Sequence, residues 1–304
     1  MNSNKKFFSK IGFNYLIYAI SAMIIAIIII NVINGLNLIP LDDINVLSII
    51  SAICNYLLPL PIFLYLMKKL DSEKIEKSKI DFKTLLKYLC ITFTLMWIGN
   101  IIGLLLTAGI GVLIQKSISN PIQNLIETTD IILNLLLISI IGPIFEEFIF
   151  RKLLIDRTIK YGVTTSILLS AVLFGLFHGN LNQFFYAALI GSFFAYVYIK
   201  TGKITYPIIL HIIVNIMGSV VSLFLVNSAN ALTTNINPTD LTIILLYLII
   251  MAITFLIGLI ALIRYLETNH KNIKTEIPLK DIFLNAGMIC FIAFFVIQMI
   301  IQLF

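Results

Sequence analysis

Charge is what this chain has least of. Of its 304 residues only 12% are Asp, Glu, Lys or Arg, while 60% are hydrophobic. Soluble domains carry about a quarter charged residues, so a water-soluble globular protein is excluded. Cysteine is scarce as well. Cys54, Cys90 and Cys290 all lie in apolar stretches without paired spacing, so free buried thiols and no disulfide are expected. No internal repeat is visible, and no polar stretch is long enough to form a separate soluble domain. H-E-x-x-H, the helix signature of zinc proteases, is absent. Lys5, Lys6 and Lys10 precede an apolar run from Phe13, as in a secretory signal. That run is too long for one and no A-x-A-like cleavage site follows it, so a retained first span is expected.

What the chain does have is hydrocarbon in lengths that fit a bilayer. A spanning helix takes about 20 apolar residues. Nine segments qualify: 13–34, 47–67, 86–114, 131–155, 164–178, 182–199, 206–226, 241–264 and 283–304. The expected fold is an all-α polytopic transmembrane helix bundle of about nine spans. Charge supports the count. With the N-terminus in the cytoplasm and the C-terminus outside, 20 of the 21 basic residues fall in inside segments, and only Lys116 falls outside. Asp42, Asp43, Glu127, Asp130 and Asp240 fall outside. The net charge of +6 is therefore a property of membrane topology, and no nucleic-acid partner is implied. The segment Lys68–Lys83 reads as a solvated positive-inside linker, and Asn227–Thr239 as a polar loop. Three regions are expected: residues 1–129 with three spans, 130–222 with four spans and the chemistry, and 223–304 with two.

Ionisable groups at membrane depth cost roughly 2.5–3.5 kcal/mol each even on insertion scales. Most of them here lie between Ile141 and Gly218. Span four reads I-G-P-I-F-E-E-F-I-F-R-K. Asp130 suits its N-cap. Pro143 has no N–H, so the Ser139 carbonyl should lose its partner and the helix should kink. At 100° per residue Glu147 and Arg151 share a face, whereas Glu146 points about 100° away. Glu147 is thus the expected partner of Arg151, and Glu146 is left to face something else. Two further pairs share a face at a spacing of four: Phe174 with His178 on span five, and His211 with Asn215 on span seven. Thr205 and Pro207 read as the cap and first turn of span seven. Each group has a structural alternative. Glu147 and Arg151 can be a plain salt bridge, His178 an interfacial residue at a helix end, and His211 with Asn215 an interhelical hydrogen-bonding pair.

E-E-x-x-x-R, F-x-x-x-H and H-x-x-x-N, in that order on separate spans, resemble the CPBP (CAAX protease and bacteriocin-processing, or Abi/Rce1-type) family of intramembrane proteases. The contexts F-G-L-F-H-G and I-K-T-G-K-I-T-Y-P are also similar to it. The resemblance covers about 130–222, and Lys152 departs from it where a small residue is expected. It implies an intramembrane endopeptidase of the cell membrane, acting on a membrane-associated protein or peptide among membrane lipid. By the same resemblance Glu146 and His178 activate water, His211 and Asn215 stabilise the oxyanion, and Glu147, Arg151 and Phe174 support them. Family members are often described as metalloproteases. If a zinc ion is bound, Glu146, His178 and His211 would be its ligands, with one position open. The competing classes are a non-catalytic immunity protein and a transporter. A transporter should show inverted repeats, whereas this chain has one polar cluster with no mirrored partner.

Overall fold

The computed structural model describes residues 3–118, 120–234, 237–269 and 275–304. Lys271 and Lys274, two of the inside charges counted above, lie outside the described residues. Among the described residues every regular element is a helix. Eight helices are long and apolar enough to cross a membrane: Ser3–Gly35, Ile44–Lys68, Phe82–Ile114, Ile131–Tyr161, Leu181–Thr201, Thr205–Thr233, Pro238–Glu267 and Ala286–Leu303. With the shorter apolar helix Val163–Phe177 they match the nine expected segments one for one. They are called spans one to nine below, Val163–Phe177 being span five. The chain is a multi-pass membrane protein.

Polar side chains cap several of these helices, Asp130 where the sequence suggests. Asp130 accepts from the Ile132 and Leu133 amides at the head of span four, and Asp81 accepts from Thr84 at the head of span three. Span seven differs. It begins at Thr205 with Ile204 in the cap position and no side-chain cap bond, so Thr205 is the first helical residue rather than its cap. Span seven also runs on as helix to Thr234, through most of the stretch expected to be a polar loop.

In hydrocarbon each backbone donor and acceptor must find a partner inside the protein, and the proline-bearing spans show how this is met. Span four widens to i→i+5 bonding over Asn134–Ile141, where the Gly142 amide donates to the Leu137 carbonyl. In that register the next donor, residue 143, would serve Ile138, but Pro143 has none. The orphaned carbonyl is thus Ile138, not the expected Ser139, and the Asn215 side-chain amide donates to it at 2.9 Å. Span two widens in the same way over Ile53–Leu57 ahead of Pro59. There the Asn55 carbonyl, four residues before that proline, accepts from the Tyr18 hydroxyl at 2.6 Å. A second phenol, Tyr15, donates to the Ile149 carbonyl at 2.8 Å, inside another widened stretch, Phe148–Leu153.

The linker between spans two and three is not merely solvated. Its Glu73 amide donates to the Asp156 carbonyl at 2.6 Å and its Ser78 amide to the Thr201 carbonyl at 2.8 Å. The Tyr206 hydroxyl accepts from the Ile80 amide at 3.3 Å. The segment thus straps together the ends of spans four, six and seven. At the same end Phe7 packs on Tyr161, ring centres 4.7 Å apart.

Spans one and nine touch backbone to backbone. A Cβ built on Gly287 would collide with the Ser9 carbonyl, and one on Gly12 with the Gly287 backbone. The Gly287 amide meanwhile donates to Ser9 Oγ at 3.0 Å. Such small-residue crossings drive helix association where no hydrophobic effect is available. Gly287→Val should therefore lower the thermal midpoint of the detergent-solubilised protein, by about 1–3 kcal/mol of overpacking. Gly109→Ala, with no atom near its Cβ, should leave it unchanged.

Candidate active site

The site is built from span four outward. Glu147 and Arg151 are both fully buried. Arg151 Nη2 donates to Glu147 Oε1 at 3.1 Å. Arg151 Nε lies 3.0 Å from Oε2 without hydrogen-bond alignment, so that contact is purely Coulombic. Arg151 Nη1 reaches Ser170 Oγ on span five at 3.1 Å, and the guanidinium stacks over the Phe174 ring at 4.5 Å. Gly191 on span six makes room for this stack. A Cβ there would lie 2.7 Å from Phe174 and 3.6 Å from Arg151 Nη2.

Glu147 has a second partner that the sequence did not indicate. Its Oε1 lies 2.9 Å from His211 Nδ1. A carboxylate only accepts, so Nδ1 carries the proton of that bond. This fixes the ring and turns Nε2 toward Glu146, 3.6 Å from its Oε2. His211 is 2% exposed and wedged against Phe174 and Phe194.

Glu146 points away from the Arg151 pair, as the helical angle required. Its Oε1 accepts a 2.6 Å bond from the Tyr56 hydroxyl of span two, and Tyr56 stacks on Phe145. Tyr56 was not among the residues singled out from the sequence. The available signal was its position: Asn55 and Tyr56 are polar groups inside an apolar run, just ahead of Pro59 and Pro61.

His178 sits on the tight turn joining spans five and six. Gly179 takes a positive φ of 63° there, a conformation that favours glycine. Asn180 then caps span six by accepting from the Gln183 amide. His178 Nδ1 lies 2.9 Å from the Phe174 carbonyl. A carbonyl cannot donate, so Nδ1 bears the proton and Nε2 is a free acceptor. Phe174 stands edge-on to both imidazoles, with centroids 4.9 Å from His178 and 5.8 Å from His211.

Glu146, Phe174, His178, His211 and Asn215 all line one cavity of about 700 Å³, with Tyr56 beside them. Glu147 and Arg151 stand behind its wall. Asn215 has one amide hydrogen engaged by Ile138, which leaves the other available. Among the described residues no group of three His, Cys, Asp or Glu side chains is placed to hold a metal. Glu146, His178 and His211, the conditional zinc ligands, do not form a ready-made ligand set, and no step below runs through a metal.

The family comparison covers the same residues. Residues 128–217 match the family model for type II CAAX prenyl endopeptidase Rce1-like proteins. That stretch holds all three motifs. The match to this family model and the similarity to the two relatives below support the CPBP resemblance over this stretch. The chain is 26% identical over 173 residues to "Putative membrane peptidase YdiL" of Bacillus subtilis (strain 168), covering 54% of this chain and 68% of that one. It is 30% identical over 99 residues to the membrane-embedded CAAX protease MroQ of Staphylococcus aureus (strain USA300), covering 30% of this chain and 38% of that one. No solved structure matches. Family and relatives together support a membrane CAAX-type peptidase.

The two glutamates should behave differently on substitution. Glu147→Gln and Arg151→Gln each strand a buried partner and should cost about 3–5 kcal/mol, read as a lower folded yield by gel filtration in detergent. Glu146→Gln keeps an acceptor for Tyr56 and should fold at the wild-type yield. Equal yields for all three would contradict this division.

Proposed function

We propose that the chain is an intramembrane endopeptidase that hydrolyses a peptide bond of a membrane-associated protein or peptide with water activated by Glu146. One observation carries the reading. Of two adjacent glutamates, one is fully buried and locked behind the cavity wall by Arg151, and the other is half-buried and held by Tyr56 at the cavity surface with His178 and His211. A salt bridge would need only the first.

In this mechanism a water in the cavity donates one hydrogen to Glu146 and lies against the free Nε2 of His178. Glu146 takes the proton as hydroxide adds to the substrate carbonyl carbon. Negative charge then develops on the carbonyl oxygen. The remaining Asn215 N–H is positioned to bond it, with His211 Nε2 as a second donor when that ring is doubly protonated. The proton on Glu146 passes to the departing amine as the C–N bond breaks. Glu147, Arg151 and Phe174 are positioning residues, and 130–222 is the catalytic core, completed by Tyr56 from span two. We further place the protein in the cell membrane with its N-terminus cytoplasmic, because 20 of the 21 basic residues then lie inside.

Membranes from cells expressing wild type and Glu146→Gln should differ by a set of cleaved proteins or peptides, read by comparative proteomics. Identical proteomes would remove the reading. His178→Ala and Asn215→Ala should fold and lose roughly 10²–10³ in rate. Asn215→Ala should also lower the thermal midpoint, since it frees the Ile138 carbonyl. Elemental analysis of active protein tests the metal-free chemistry. About one zinc per chain, lost together with activity in His211→Ala, would overturn it.

A further inference from the structure

The two ends of the bundle are chemically unlike, and the cavity belongs to only one of them. At one end lie the N-terminal lysines, the strap 68–83, the end of span four, the 200–206 turn and Leu279–Phe283. Contacts tie them together: Phe7 to Tyr161, Glu73 to Asp156, and Ser78 to Thr201. Every described Lys and Arg lies toward this end except the lone outlier Lys116, and Arg151 is walled into the bundle. No atom of this end lines the cavity. The strap crosses it and backs onto Gly202, where a Cβ would meet the Glu76 carbonyl.

The cavity runs the other way. Above Glu146 it is lined by the head of span two at Ser48, by the short helix Pro121–Thr128, by Gln183 at the head of span six, and by Gly218 and Ser219 in the outer half of span seven. These belong to the end that carries Asp42, Asp43, Glu127 and Asp130. That end is pinned by the Asn45 side chain, which accepts from the Asp130 amide at 2.8 Å, and by the Ser48–Thr129 hydroxyl pair at 3.2 Å. Glu146 lies 16 positions below Asp130 in span four, roughly 24 Å of helix, so the cavity is a deep well entered from the acidic end. Above the two histidines at its floor the wall carries amides, hydroxyls and apolar side chains, and no Lys or Arg lines it. It offers no lysine or arginine to a free C-terminal carboxylate.

Charge asymmetry puts the basic end in the cytoplasm. Together with the proteolytic reading above, on which this rests, the geometry points to a site entered from the extracytoplasmic face. Its substrates are then internal peptide bonds in exported peptides or in the external juxtamembrane segments of membrane proteins. Chain ends held on the cytoplasmic surface have no route to Glu146.

Sidedness can be measured without catalysis. In a background of Cys54→Ala, Cys90→Ser and Cys290→Ser, single cysteines are introduced as Asn124→Cys on the short helix, Ser51→Cys in the cavity and Lys77→Cys on the strap. Intact cells are treated with a membrane-impermeant maleimide. Asn124→Cys and Ser51→Cys should label as fully as in permeabilised cells, and Lys77→Cys only after permeabilisation. The reverse pattern overturns the proposal. If the cysteine-free background does not fold, alkaline phosphatase fused after Phe304 in the wild-type background serves instead. Phe304 contacts Lys116 beside the acidic end, so active phosphatase is expected and inactive phosphatase overturns the assignment. The cut sites that distinguish wild type from Glu146→Gln should map to external segments, and cytoplasmic cut sites overturn the substrate class. External labelling with no cleavage difference between the two would instead remove the proteolytic reading and leave the sidedness standing.

Discussion

The structure depends on a carboxylate that cannot reach water. Glu147 is fully buried and shared by Arg151 of its own helix and His211 of span seven. A buried charge is tolerated only with close and multiple partners, and here the partners draw other elements in. Arg151 reaches Ser170 on span five and sits over the Phe174 ring, and Phe174 needs the gap at Gly191 on span six. Spans four to seven are therefore registered by one ionic knot. The orientation of His211 follows from it, and so does the freedom of Glu146.

A second constraint acts on the backbone. Prolines and widened turns in spans two and four leave carbonyls without helical partners, a costly state in hydrocarbon. Side chains from neighbouring spans bond them instead: Tyr18 for Asn55, Tyr15 for Ile149, and Asn215 for Ile138. These same stretches carry the polar groups of the site. Tyr56 lies in the widened stretch of span two, and Glu146 and Glu147 sit between two widened stretches of span four. Widened helical turns recur at functional sites, and here the irregular backbone turns hydrogen-bonding groups toward a cavity. Asn215 shows the two demands meeting in one residue, with one amide hydrogen holding the fold and the other facing the cavity.

Much of this was legible in the sequence, and the reasons are physical. Spans are legible because a bilayer accepts only long apolar helices, and nine expected segments became nine helices. The split between Glu146 and Glu147 was legible because a helix fixes the angle between neighbours. The linker 68–83 is exposed along most of its length, as its charge indicated, but its bonds to helix ends were not legible, because charge does not specify which backbone amides find partners. Span seven was placed too short for a similar reason, since uncharged polar residues at a helix end do not stop the helix.

Composition and periodicity by themselves determined that the chain spans a membrane, how often, and which polar residues share a helix face. These are local properties, set by solvent and by 3.6 residues per turn. Only the tertiary structure decided that Tyr56, 90 positions away in sequence, holds Glu146. The same holds for the bond from His211 to Glu147 and for the Ile138 carbonyl as the one that Pro143 orphans. It also decided the end of the bundle at which the cavity opens. Those facts depend on which helix faces meet, and one chain read in isolation does not specify that.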